Sequence, residues 1–276
     1  MKLEFTKMHG LGNDFIVINA VNRPLTLTAE QCRLLADRHF GVGCDQILLV
    51  EPSRHPATDF YYRIFNADGS EVEQCGNGAR CFARFVRAKG LTQKDEIDVG
   101  TLAGNIRLYL EANDQVRVNM GPPILVPERI PFQAPEQAEH YPIEVAGAEY
   151  RIGAVSMGNP HAILQVPDVA AAPVLELGPL LERHPRFPQR TNVEFMEVCA
   201  RDHIRLRVFE RGTGETLACG TGACASVVSG RIQGLLEEKV TVGLPGGDLV
   251  IQWAGGTNPV WMSGPAAFVY EGRIEL

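Results

Sequence analysis

No stretch of the 276 residues approaches the length of an apolar membrane span. The first residues, Met1-Lys2-Leu3-Glu4-Phe5-Thr6-Lys7, carry charge where a secretory leader would carry an apolar run. A membrane role is therefore not expected, and a cytoplasmic location is the default expectation. Lysine and arginine nowhere gather into a stripe, and the net charge of −7 opposes a phosphate-backbone partner, so nucleic-acid binding is not expected. The C-x2-C knuckles of structural zinc sites are missing, and no metal is expected. The seven cysteines are odd in number and lack the rhythm of a disulfide-stapled domain, which fits reduced thiols.

What is present is an internal repeat. Shifting the chain by 144 positions aligns Phe65 with Phe209, Glu71 with Glu215, Cys75 with Cys219, Gly76 with Gly220, Gly78 with Gly222 and Ala79 with Ala223. Arg87, Gly90 and Leu91 continue the match to Arg231, Gly234 and Leu235. Each copy, Gln74-Cys75-Gly76-Asn77-Gly78-Ala79-Arg80 and Ala218-Cys219-Gly220-Thr221-Gly222-Ala223-Cys224, sets a cysteine before a glycine-rich turn that opens a helix. A composition of 45% hydrophobic residues over this length supports two buried cores, hence two domains.

The local pattern predicts a first strand over 15–18, entered through a turn-rich segment at 8–14. Thr28-Ala29-Glu30-Gln31 has capping-box spacing, so a helix is expected from there to Arg38 or His39, with Leu34 and Leu35 facing a sheet. Strands follow at 47–50 and 60–65, then a polar loop over 66–74 and a largely buried helix over 77–89 that Gly90 stops. Hairpins turn at Ala103-Gly104, Ala146-Gly147 and Pro245-Gly246-Gly247-Asp248, with strands at 116–120, 153–157, 193–198 and 203–210. Helices are expected over 174–184, with Leu180-Leu181 echoing Leu34-Leu35, and over 222–233. Six prolines between 121 and 142 mark the crossover between the halves. The fold class is mixed α/β, with two pseudo-symmetric halves and a site expected between them.

A thiol at a helix N-terminus meets unpaired N–H groups and a dipole that favour the thiolate and hold carboxylates. Two such thiols suit the removal of an α-proton from an amino acid and its return on the opposite face, since a free thiol titrates near ~8.5 and can be lowered toward neutrality. For either cysteine alone a small buried residue is the simpler reading; the matched pair favours function. Cys32, Cys44 and Cys199 are read as buried structural residues, and Cys81 and Cys224 as helix packing. Three rivals remain: a hydrolase or transferase using one cysteine with His161 as base, a non-catalytic anion-binding module, and a loose dinucleotide fingerprint at Gly220-x-Gly222-x-x-Ala225, which follows its strand at too great a distance. Asn13, Asn66, Asn77, Asn159 and Asn192 are short amides able to hold ammonium and carboxylate groups, although for each taken singly a turn residue is the simpler reading. Glu210-Arg211 offers one charge to each end of a zwitterion.

Met8-His9-Gly10-Leu11-Gly12-Asn13-Asp14-Phe15, Asp45-Gln46, Phe65-Asn66-Ala67-Asp68-Gly69-Ser70, Cys75-Gly76-Asn77-Gly78-Ala79-Arg80, Gly158-Asn159-Pro160-His161 and Glu210-Arg211-Gly212 with Cys219-Gly220-Thr221-Gly222 occur in the order of the diaminopimelate epimerases, which the chain resembles from end to end. The resemblance implies a cofactor-free epimerase interconverting LL- and meso-2,6-diaminopimelate in lysine and peptidoglycan precursor synthesis, acting as a homodimer. It implies two domains, each a mixed sheet curled around a central helix: 1–119 with 265–276, and 120–264. Carried over, Cys75 and Cys219 are acid and base, and His161 and Glu210 tune them. Asn13, Gln46, Asn66, Asn159, Asn192, Glu210 and Arg211 contact substrate, while Gly76-Asn77 and Gly220-Thr221 cradle its carboxylate. Tyr270 lies at the dimer interface. Thr221 stands where serine is common, and Cys44 where bulkier residues are often seen. Proline racemase-like enzymes share the two-cysteine logic and are the alternative.

Overall fold

The repeat in the sequence is a repeat of strand pairing. The computed structural model describes residues 2–72 and 75–276; Gln74, which opens the first cysteine motif, lies outside the described residues. In chain order the elements are β1 (Lys2–Gly10), β2 (Asn13–Asn19), α1 (Ala29–Ala36), β3 (Gln46–Pro52), β4 (Phe60–Asn66), β5 (Glu71–Val72), α2 (Gly76–Ala88), β6 (Glu96–Thr101), β7 (Gly104–Leu110) and β8 (Gln115–Asn119). After a short 3-10 turn at Pro127–Arg129 come β9 (Tyr141–Val145), β10 (Ala148–Ser156), β11 (Pro160–Gln165), α3 (Val174–Glu182), β12 (Asn192–Ala200), β13 (His203–Glu210) and β14 (Gly214–Thr216). The chain finishes with α4 (Gly220–Ile232), β15 (Lys239–Leu244), β16 (Gly247–Gln252), β17 (Trp261–Pro265) and β18 (Ala267–Glu275). Two compact units result, Met1–Asn119 with Ser263–Leu276, and Met120–Met262.

In the first unit β1 pairs antiparallel with β2, β2 parallel with β3, β3 antiparallel with β4, and β4 parallel with β6, with β5 folded back on β4. The second unit reproduces this with β10, β11, β12, β13 and β15, and β14 folded back on β13. β18 lies on β1 as β9 lies on β10. Each mixed sheet wraps a 13-residue helix: α2 packs on β1, β2, β3, β7 and β8, and α4 on β10, β11, β12 and β16.

Why those two helices sit inside is visible in their residues. Ala79, Cys81, Phe82, Ala83, Phe85 and Val86 of α2 are buried, and α4 presents alanine, serine, valine and glycine on nearly every side. Burying a Phe82-sized side chain is worth about 1.5–3 kcal/mol. α1 covers the other face of the first sheet through Cys32 and Leu35, against Ile47 and Leu49 of β3. With helices on both faces, β3 is apolar without alternation at Ile47-Leu48-Leu49-Val50. In the second unit Val174 and Leu181 of α3 pack with Val193 and Phe195 of β12.

The capping box at Thr28 forms, Gln31 N–H donating to Thr28 Oγ1 and Thr28 N–H to Gln31 Oε1. The helix ends earlier than expected, because Asp37 is extended and its carboxylate accepts from the N–H groups of His39 and Phe40. Leu35 and Leu181 are buried as expected, but Leu34 and Leu180 are exposed. Adjacent helical residues point about 100° apart, so a short rim helix buries one of the two. The turn-rich segment at 8–14 is the end of a nine-residue strand, β1, and a tight hairpin in which Leu11 and Gly12 both have positive φ (56° and 87°). The loop over 66–74 contains β5. Cys199, expected to be buried, is exposed near the β12–β13 turn, whereas Cys32, Cys44, Cys81 and Cys224 are buried.

Candidate active site

Cys75 is the N-cap of α2, at φ −141° and ψ 119°, and is half-buried. Its backbone is clamped by one phenol: Cys75 N–H donates to the Tyr62 hydroxyl at 3.2 Å, and that hydroxyl lies 3.1 Å from the Cys75 carbonyl. Tyr62 is wholly buried, and burial, then the neighbouring Cys75, pushes its phenol well up, so it stays a neutral donor. Gly78 permits the close approach, since a Cβ there would lie 3.1 Å from the Tyr62 hydroxyl oxygen and 3.2 Å from Phe15.

Around this thiol the first unit gathers amides. Asn13 Oδ1 lies 3.8 Å from Cys75 Sγ and accepts from Asn77 Nδ2 at 3.2 Å, while Asn13 Nδ2 donates to Asp45 Oδ2 at 2.9 Å. Gln46 and Asn66 face each other across β3 and β4, Gln46 Nε2 donating to Asn66 Oδ1 at 3.0 Å. Gln46 Oε1 is buried with no donor among the described residues. Asp45 is held by Arg38, which also grips Asp14. Burial pulls the Asp14 carboxyl up, but hydrogen bonds from Arg38 and Lys7 outweigh it and hold it at about 2.

In the second unit Cys219 caps α4 in nearly the same conformation, φ −120° and ψ 109°, and is buried. Its sulfur accepts from Gly222 N–H at 3.4 Å and lies 3.5 Å from Thr221 Oγ1. Both contacts favour the thiolate, as expected at a helix start. Nevertheless burial, followed by the charges of Glu210 and Glu194, pushes the Cys219 thiol well above its ordinary value. The expectation that the helix end lowers this thiol toward neutrality is corrected: two buried carboxylates oppose a dipole that acts only over a turn. Glu210 is itself raised by burial and accepts from Thr216 Oγ1 at 2.5 Å.

His161 is completely buried on β11, with Nδ1 at 2.6 Å from Glu194 Oε1 and Nε2 at 2.9 Å from Asn159 Oδ1. Asn192 turns inward, donating to the Pro160 carbonyl at 2.9 Å and accepting from Arg211 N–H at 3.0 Å, so it braces the turns that carry Asn159 and Arg211. The Arg211 guanidinium donates to the Gln189 carbonyl at 3.1 Å. Tyr270 is exposed on β18, packed edge-on against Phe5.

The structure thus gathers Asn13, Asn77 and Cys75 in the first unit and His161, Asn159, Asn192 and Cys219 in the second; Tyr62 and Glu194, which sequence reasoning did not single out, contact these residues, and Asp45, quoted only within Asp45-Gln46, accepts from Asn13. An acidic residue inside the apolar strand Val193-Glu194-Phe195 was the available signal for Glu194. Among the described residues no group of three or more His, Cys, Asp and Glu is arranged to hold a metal. Among them, too, no helix is long and apolar enough to cross a membrane.

Comparison with known proteins places this geometry. A hydroxyproline epimerase from Agrobacterium vitis shares the fold with a TM-score of 0.72 at 17% identity, over 99% of this chain and 92% of that one. That likeness defines the fold class: two like-built units, each a mixed sheet around a central helix. The diaminopimelate epimerase family pattern matches residues 5–126 and 153–269. Proteins named diaminopimelate epimerase from Thioalkalivibrio sulfidiphilus and Teredinibacter turnerae are 64% and 57% identical, each aligned over 100% of both chains. The chain belongs to the diaminopimelate epimerase family and is an isomerase.

Proposed function

We propose that the protein epimerises 2,6-diaminopimelate between its LL and meso forms, with Cys75 and Cys219 as the acid and base and no cofactor. The observation that carries this reading is the matched pair of thiols, each capping a 13-residue helix in an identical strand topology. In the reaction one thiolate takes the α-proton: the Cα–H bond breaks, S–H forms, and the electron pair moves into the adjacent carboxylate. The other thiol then gives its proton to the opposite face of the carbon and becomes the thiolate, so the roles exchange with direction.

Asn13, Gln46, Asn66, Asn77, Asn159, Asn192 and Arg211 are assigned to the substrate, directly or through the turns they brace. The backbone N–H groups at Gly76-Asn77 and Gly220-Thr221 receive the reacting carboxylate, which the helix dipoles favour. His161 and Glu210 set the charge around Cys219. The exposed Tyr270 strand edge supports a homodimer, and family membership supports a cytoplasmic place in lysine and peptidoglycan precursor synthesis. The test is solvent-deuterium incorporation into LL-diaminopimelate by reduced protein without metal or pyridoxal phosphate. The reading requires one α-carbon to exchange while meso product forms, with Cys75→Ala and Cys219→Ala each abolishing epimerisation. A dispensable cysteine refutes the two-thiol mechanism, and exchange with proline alone refutes the substrate.

A further inference from the structure

The second unit contains a buried carboxylate that the two-thiol scheme leaves without a role. Glu194 has no exposed surface, and strand alternation turns it away from the core face where its neighbours Val193 and Phe195 pack with α3. Its Oε1 meets His161 Nδ1 at 2.6 Å, while Oε2 has no donor among the described residues. A buried carboxyl left half-satisfied costs on the order of a kcal/mol or more, so this one is not there for stability. It also lies against the catalytic helix: the point a Cβ on Gly222 would occupy is 2.8 Å from Glu194 Oε1 and 3.3 Å from Cys219 Sγ. Carboxylate and sulfur are therefore no more than about 6 Å apart.

We infer that Glu194 is a positioning residue for the Cys219 half of the site, fixing the His161 ring by Nδ1 so that Nε2 addresses Asn159, and placing a charge beneath the helix start that Cys219 caps. A carboxylate on one ring nitrogen fixes the orientation of the ring and so aims the other nitrogen, a general use of carboxylate–histidine pairs. Here the aimed nitrogen holds the side chain of Asn159, on the turn before β11 that is assigned to the substrate. The titratable groups around Glu194 are His161 from β11, Glu210 from β13 and Cys219 at the start of α4. Burial raises the Glu194 carboxyl and His161 opposes that rise, while Glu194 in turn raises Cys219. Gly222 belongs to the same device, because any side chain there would displace the carboxylate.

This inference rests on the proposed role of Cys219, and its test does not use the substrate. Modification of Cys219 by iodoacetamide, followed by peptide mass spectrometry across pH, is compared in wild type, Glu194→Gln and Glu194→Asp. Glu194→Gln removes the charge and keeps the shape, so the midpoint is expected to fall by about two pH units, the effect of a unit charge about 6 Å away at an effective dielectric of about 20. Glu194→Asp keeps the charge and loses the reach, so its midpoint stays near wild type while the His161 contact is lost. An unchanged midpoint in Glu194→Gln overturns the inference. Nitrogen-15 spectra of wild-type His161 provide the check that needs no variant: Nδ1 must carry a proton near neutral pH, and a bare Nδ1 overturns it as well. Failure to turn over diaminopimelate would sink the substrate assignment and leave both readouts standing.

Discussion

Replacing Gly222 by alanine separates stability from chemistry. The added methyl would sit 2.8 Å from Glu194 Oε1, closer than such atoms approach, and the carboxylate is held on its other side by His161 at 2.6 Å. Overpacking of this kind costs about 1–3 kcal/mol, whereas alanine gains up to about 1 kcal/mol over glycine in helix propensity. The net loss is about 1 kcal/mol, or about 2–4 °C in melting temperature for a unit of this size. Displacing the group beneath Cys219 by a few tenths of an ångström to an ångström is expected to lower kcat by about 10²-fold, roughly 2.7 kcal/mol of barrier and more than the stability loss. The comparison is Gly153→Ala, whose Cβ would fall 2.0 Å from Ser229 Oγ where β10 meets α4. That variant should lose stability while its folded fraction keeps wild-type kcat. Thermal melts and deuterium-exchange epimerisation assays on both variants decide the matter. If Gly222→Ala keeps wild-type kcat while melting like Gly153→Ala, the steric account of this glycine is wrong.

Thr28→Ala removes the hydroxyl that accepts from Gln31 N–H in the α1 capping box, while the Thr28 N–H can still donate to Gln31, and should cost about 1 kcal/mol in denaturant unfolding, with kcat unchanged. Asp14 has a folded carboxyl at about 2, below its unfolded value. Its stabilisation of about 1–2 kcal/mol is complete above pH ~4 and disappears as pH falls through 2; urea titrations of Asp14→Asn should therefore converge with wild type in strong acid and diverge above it. Thr216→Val deletes the hydroxyl that favours the Glu210 carboxylate, so the Glu210 carboxyl should rise further and the pH–rate profile should move to higher pH on its acidic limb. Cys199 lies at the surface and away from the two capping thiols, so Cys199→Ala should keep wild-type activity, while Cys81 and Cys44, whose thiols burial pushes up to about 12, should stay unmodified under mild alkylation of the native protein, read by peptide mass spectrometry.

The repeat made the architecture legible, because Cys75 with Cys219 and Gly90 with Gly234 mark the same start and stop of two helices. The capping box announced α1, yet its end depended on the conformation of Asp37, which no pattern of apolar residues encodes. β1 was obscured by Lys7, a charged residue that is buried because Asp14 and the Gly43 carbonyl receive its ammonium group. The thiols and amides of the site could be named from the chain. The groups that hold them in place could not, since Tyr62 and Glu194 reach their targets across strand pairs distant in sequence, through single atoms whose aim depends on strand register.

The return of β18 to the first unit gives the molecule a direction in time. The second unit is one continuous stretch, but the first carries β18 along β1, with Lys2 opposite Glu275. During synthesis the second unit can close as soon as its own residues emerge. The Cys75 unit must hold β1 unpaired on that edge until β18 has emerged from the ribosome. Loss of β18 would thus strike the Cys75 unit from the far side of the intervening one, along the edge of β1.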